Sequence, residues 1–307
     1  MINRRDFIKQ SALATAAISL SACGGSTTSS AASSPYLTGV QLYSVRDDMD
    51  ANPLPTLKAL SDMGYRYVEH YGYKDRKFFG WSASEFKKIL ADLGMSAPSG
   101  HTVLAKAHWD EDKKDFTDLW RYTIEDAATM GQQYVISPWL DADWRKTEDD
   151  LKKYMDVFNK CGELCNKSGM KFGYHNHDFE FSQKFGDKTV YDLILQNTNP
   201  DVVMQQLDIG NMVNGGGEAK QIIGQYPGRF QSMHVKDEIA ATVVEEGGHK
   251  YESAILGTGM VSVKEVIDLG KKSGGTIHFI VEQESYQGKT PLDSVKEDLA
   301  IMKNWGY

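Results

Sequence analysis

Imidazoles and carboxylates recur at the ends of short β-rich runs in this 307-residue chain: Glu69 with His70, His101, His175 with His177, Asp208, His234 with Lys236, and Glu282 with Glu284. Five of the eight histidines fall at these places, a concentration that random scatter would not produce. Mixed nitrogen and oxygen donors suit Mn²⁺, Zn²⁺, Co²⁺ or Fe²⁺ better than Ca²⁺, which prefers oxygen alone. One divalent metal ion is therefore the expected cofactor, Mn²⁺ first among these. His175 and His177 share strand parity and so one face, which suits one as ligand and the other as proton carrier. A divalent ion beside such a base polarises a ketone and its neighbouring hydroxyl while the base removes the proton between them. Proton return on the opposite face is epimerisation, return on the next carbon is isomerisation, and departure of a β-substituent is elimination. His177 and Glu284 are the expected proton carriers, with Lys236 offsetting negative charge. The structural alternatives are Asp208 as a helix cap and Glu282 as an ion-pair partner of Lys236.

The elements that must gather these groups alternate. Residues 39–43, 67–71, 96–101, 134–137, 171–176, 202–208, 230–235 and 276–283 read as strands. Between them, apolar residues recur three or four apart, as in Leu54, Leu57 and Leu60, or Leu119, Trp120, Ile124, Ala127 and Ala128. Gly64, Gly94, Gly131 and Gly169 stand where helix C-caps are due, and Thr290-Pro291 where a final helix should start. Strand–helix alternation implies parallel pairing through right-handed crossovers. Eight such units predict a single-domain α/β fold, a (β/α)8 TIM barrel over residues 36–307, with its chemistry at the strand C-termini. A doubly wound sheet would want a glycine-rich first turn, which Gln41-Leu42-Tyr43-Ser44 lacks. Residues 237–259 are too polar for core and read as an active-site lid or a surface excursion. Trp81, Trp109, Trp139 and Trp144 fall in or near the βα loops, where rings stack on sugar C–H surfaces or plug the packing. Trp109 and Trp139, with Glu69 and His101, are the expected substrate contacts. Cys161 and Cys165 lie at helical spacing and read as core.

The N-terminal segment reads as an address. Arg4-Arg5-Asp6-Phe7-Ile8-Lys9 precedes an apolar run over 11–20, the pattern of a twin-arginine signal, and Leu20-Ser21-Ala22-Cys23 resembles a bacterial lipobox. Residues 1–22 are expected to be cleaved, Cys23 to be lipidated, and residues 23–35 to form a flexible Gly/Ser/Thr tether. Export to the periplasm or outer membrane follows, with membrane contact only through that lipid anchor. Residues 1–22 carry Arg4, Arg5, Lys9 and Asp6, a net +2, so their loss takes the formal charge from −8 to −10. So acidic a chain repels polyphosphate, which argues against nucleic acid as a partner. With 41% hydrophobic and 25% charged residues and a mean hydropathy of −0.45, whole-chain disorder and multiple membrane spans are excluded.

Five motifs now stand in order: GVQLYSVR from Gly39, YHNHDFEF from Tyr174, LDIGN from Leu207, MHVKD from Met233 and VEQE from Val281. Together they resemble the xylose isomerase-like TIM barrel superfamily, in its sugar phosphate isomerase/epimerase branch, across residues 36–307. The resemblance implies one divalent metal held by a carboxylate on strand five, Asp208 on six, His234 on seven and Glu282 on eight. At strand five this chain places His175 where the carboxylate is usual, with Glu180 as the alternative ligand. A small carbohydrate substrate is implied, and with it a sugar isomerase, epimerase or lyase. A non-catalytic sugar-binding lipoprotein is the rival reading. Export argues for an unphosphorylated sugar. Relatives with a Tyr-His-Asn-His strand five point to 3-keto-glycosides made by a partner oxidoreductase and cleaved by β-elimination.

Overall fold

Val40, Val135, Phe172, Leu207 and Phe279 are fully or almost fully buried, and so are Gln41, Tyr134, Ile136, Gln206, His278 and Ile280 beside them on the opposite strand faces. Strands with two faces to bury must be wrapped by helices outside and filled inside. The computed structural model, which describes residues 36–242 and 250–307, shows this arrangement as a closed barrel of eight parallel strands. They are β1 (Leu37–Gln41), β2 (Tyr67–His70), β3 (Ser96–His101), β4 (Tyr134–Ser137), β5 (Lys171–His175), β6 (Val203–Asp208), β7 (Ser232–Val235) and β8 (His278–Val281). Each strand pairs with the next, and β1 closes on β8 with Leu37 opposite His278. The first strand ends earlier than its apolar run predicts. Leu42–Val45 winds instead into a 3₁₀ turn, capped by the Gln41 side chain accepting the Tyr43 N–H at 3.1 Å.

Helices end where the chain must reverse. Gly64 at φ 111° and Gly131 at φ 83° hold the left-handed conformation predicted for their C-caps. The last helix, Pro291–Asn304, opens with Thr290 accepting the Asp293 N–H at 3.1 Å. Cys161 and Cys165 are buried on the helix Glu148–Asn166, as their spacing predicts. Leu54 and Leu119 depart from their apolar stripes and are exposed.

Inside the barrel, Tyr134, Ile136 and Met204 form an apolar plug. Gln41, Glu69, Ser99, Gln206 and Ser232 add polar side chains with no exposure at all. On β6, Met204, Gln206 and Asp208 share one face and step from plug to polar layer to mouth.

The polar stretch after β7 is organised. Asp237–Ala240 pairs antiparallel with Tyr251–Ala254, and the Asp237 carboxylate accepts the N–H groups of Glu238, Gly259 and Val261. Residues 245–249 at its centre, the signal of residues 1–22, Cys23 and the tether of residues 23–35 all lie outside the described residues. Among the described residues, no helix is long and apolar enough to cross a membrane.

Candidate metal centre and its cavity

Four consecutive strands deliver one donor each to a common point. His175 ends β5, Asp208 ends β6, His234 lies on β7 and Glu282 comes directly after β8; their donor atoms lie within 4.8 Å of one another, all buried. Asp208 is both cap and candidate ligand. Its Oδ1 accepts the Asn211 N–H at 2.7 Å and caps the helix Ile209–Asn214, while its buried Oδ2 has no hydrogen-bond partner. A buried anionic oxygen with no hydrogen bond, Lys236 Nζ standing 3.8 Å away, has a coordination position that a metal cation would fill. Two imidazoles and two carboxylates form a donor set fitted to a divalent transition metal.

Each histidine is aimed from behind. His234 Nε2 lies 2.6 Å from Glu69 Oε1, and a carboxylate only accepts, so that nitrogen carries hydrogen. Nδ1 then faces the cluster, 3.0 Å from Glu282 Oε2. His175 Nδ1 lies 3.1 Å from Gln206 Oε1, which turns Nε2 toward Asp208. Partners of this kind fix the tautomer and ring orientation of metal-binding histidines. Gln206 escaped the sequence reading; its only signal is that it shares parity with Asp208 two residues on.

Glu69 was expected to touch substrate, but it does not line the cavity. It is fully buried, accepts from Gln41, Ser99, Gln206 and His234, and lies 3.0 Å from His101 Nε2. Burial alone would raise its pKa, but His101 and His234 hold the carboxyl well below the usual range.

The cluster opens into a cavity of about 820 Å³, lined on this side by His101, His175, His177, Glu282 and Glu284. His177 Nδ1 is buried without a hydrogen bond, and burial pushes the imidazole down to about 4, leaving it neutral. Trp139 stands edge-on to it, ring centroids 5.3 Å apart. Lys236 Nζ lies 2.5 Å from Glu284 Oε2 and 3.4 Å from Glu282 Oε2. Burial would strip its proton, but Glu284, Asp208 and Glu282 outweigh that and keep it charged. A Cβ at Gly210 would come 2.8 Å from Lys236 Cγ, so the helix after β6 can approach only as glycine.

Two expected contacts fall elsewhere. Glu180 accepts the Tyr174 hydroxyl and, at 2.9 Å, the His177 N–H. Tyr174 packs in the layer between barrel and helices, so Glu180 is held outside the cluster, and burial raises its carboxyl to about 8. Trp109 packs against Phe116, centroids 5.1 Å apart, and does not line the cavity. Trp81 and Trp144 likewise pack, on Phe86 and Tyr154.

A closed eight-stranded parallel barrel with this site defines a class. The chain belongs to the xylose isomerase-like TIM barrel family, which it matches over residues 57–305. An inosose dehydratase of Clostridium beijerinckii is 26% identical over 171 residues, 56% of this chain and 55% of that protein. Inosose dehydratase 1 of Bacillus cereus is 27% identical over 149 residues, 45% of this chain and 48% of its own. The chain thus aligns with about half the length of these relatives. Among solved structures, a sugar phosphate isomerase/epimerase from Parabacteroides distasonis superposes with a TM-score of 0.74 at 25% identity, covering 89% of this chain and 96% of that one. The IolI protein, solved with a zinc atom, shares the fold at a TM-score of 0.67 and 14% identity, over 88% and 97% of the two chains.

Proposed function

We propose that the protein is a divalent-metal-dependent carbohydrate lyase that releases the aglycone of 3-keto-glycosides by β-elimination. The observation that carries this reading is His177, a neutral imidazole with an unpartnered nitrogen, in the same cavity as a four-donor cluster. A bound cation, Mn²⁺ first and Zn²⁺, Co²⁺ or Fe²⁺ as alternatives, would supply Lewis-acid polarisation of the C3 ketone and C2 hydroxyl. His175, Asp208, His234 and Glu282 would hold it. His177 takes the C2 proton, which the C3 ketone acidifies, and Lys236 offsets the negative charge that develops. The C1–O bond breaks as the C1=C2 bond forms and the C3 carbonyl returns. The departing oxygen receives a proton from the Lys236–Glu284 pair and leaves as an alcohol.

Kinship with inosose dehydratases supports elimination, since a dehydratase expels water from a ketone-bearing ring where this enzyme would expel an alcohol. Likeness to the Parabacteroides isomerase/epimerase favours a second reading, in which the proton returns to carbon and a sugar is epimerised. Incubation of purified protein and Mn²⁺ with a 3-keto-glucoside decides. Aglycone release supports the lyase; no release, with C2 or C3 inversion of a free ketose, gives the case to the epimerase. Binding without turnover would leave a sugar-binding protein.

The substrate implies a partner oxidoreductase that oxidises C3 of glycosides. We further propose export to the periplasm or outer membrane with a lipid anchor at Cys23, on the order of twin arginines and lipobox. Cys23→Ser should change both membrane fractionation and N-terminal mass; if neither changes, the anchor is refuted.

A further inference from the structure

Strand order divides the barrel mouth in two. The donor cluster, His177 and Glu284 come from β5 to β8 and the chain just beyond them. The facing half of the cavity is built from the loops and helices after β1 to β4: Tyr43, Tyr71, Val103, Leu119, Tyr122 and Trp139. Among the described residues, eight large apolar side chains are exposed, and five of them are in this set, Leu119 at 60%. Exposed apolar residues scattered singly mean nothing, but a cluster around one cavity marks a ligand face.

This face is braced and presents rings more than hydroxyls. Tyr71 donates to Asp50 at 3.1 Å, and Tyr73, beside it in the cavity wall, donates to Asp126 at 2.8 Å. Neither carboxylate lines the cavity. Arg76 grips Asp126 through two nitrogens, at 2.7 and 3.0 Å, and lies 4.4 Å over the Tyr122 ring. That grip ties the hairpin Tyr73–Lys74 and Lys77–Phe78 to the helix Asp118–Met130. At about 820 Å³ the cavity sits near the top of the range for drug-sized ligands, roughly 300–1,000 Å³, and exceeds the needs of one sugar ring.

We infer that the β1–β4 half is a subsite for an aromatic aglycone, an aryl group joined through the anomeric oxygen of the sugar held over the cluster. The inference rests on the proposed glycoside chemistry. Tyr71 and Tyr73 have spent their hydroxyls on Asp50 and Asp126, and the five exposed side chains give this face mostly ring and alkyl surface, with Lys74, Asp75, Thr102 and Thr123 as the polar groups beside it.

The test compares 4-nitrophenyl and methyl 3-keto-β-glucosides in the wild type and in Leu119→Ser/Tyr122→Ser, both positions on an exposed helix face. The aryl-over-methyl ratio of kcat/KM should fall at least tenfold in the variant; leaving-group reactivity is common to both proteins and cancels. An unchanged ratio overturns the subsite. If neither glycoside is cleaved, the glycoside reading fails by itself, and calorimetry with 4-nitrophenol on the Mn²⁺-loaded protein decides the subsite. Saturable binding that weakens at least tenfold in the variant supports it. No binding, or equal binding by both proteins, overturns it.

Discussion

His175 and His177 lie edge to face, ring centroids 5.2 Å apart, in opposite surroundings. His175 leans on Gln206 and turns its other nitrogen into the cluster, whereas His177 lines the cavity and keeps its buried Nδ1 without a partner. His177→Asn is therefore expected to lower kcat by roughly 10²- to 10⁴-fold, the usual worth of a positioned base, while Mn²⁺ still binds. His175→Asn should lose metal and turnover together. Calorimetric titration with Mn²⁺ beside an activity assay checks the division, and equal loss of metal by both variants would refute it.

Glu69 is the brace behind His234, and its charge is what the surrounding N–H and O–H groups require. Glu69→Gln must turn an amide toward one of these donors. Metal affinity should fall about 10- to 100-fold, as when other outer partners of metal-binding histidines are removed, and the melting temperature should fall as well. A folded variant with wild-type affinity would count decisively against this role.

Glu180 and the cluster carboxylates can be separated by metal content alone. Asp208→Ala and Glu282→Ala should each weaken Mn²⁺ binding at least tenfold, whereas Glu180→Gln should purify with wild-type metal. Elemental analysis of the three proteins reads this directly, and a metal-free Glu180→Gln would reverse the assignment of His175.

Asp298, which does not line the cavity, predicts a pH dependence of stability. Burial raises its carboxyl to about 7; Oδ1 accepts the Leu256 N–H at 2.9 Å, and Oδ2 is buried without a partner. Unfolded, the same group titrates near 4. Between these values the folded chain binds the extra proton, so stability falls as pH rises through about 4 to 7 and the loss is complete above. Asp298→Asn keeps the acceptor and removes the titration. Relative to wild type it should gain on the order of a few kcal/mol between pH 5 and pH 8 in urea unfolding. A difference independent of pH would sink the argument.

Strand order, helix caps and the four cluster residues were legible because each follows from local pattern: apolar spacing, a terminal glycine, a polar residue at a strand end. Asp208 was legible as either cap or ligand, and one oxygen serves each need. Glu69, Gln206 and Trp109 were misread or missed because their partners are set by strand register and loop course, which spacing does not encode. Leu119 looked like core because it sits one residue from Trp120 on the same helix. The barrel turns that helix so that Trp120 is buried and Leu119 faces the cavity.

The order in which the chain emerges gives the buried carboxylate a kinetic meaning. Glu69 belongs to β2; of the two imidazoles that hold its charge, His101 follows on β3, but His234 stands 165 residues later, on β7. A nascent chain that packed its first strands early would enclose this carboxylate with His101 beside it but without the Gln206 and His234 donors, at a cost in free energy. Premature half-barrels are thereby penalised, and closure waits for the strand that completes the site. Folding and assembly of the centre become one cooperative event, with Glu69 acting as a checkpoint for a finished polypeptide.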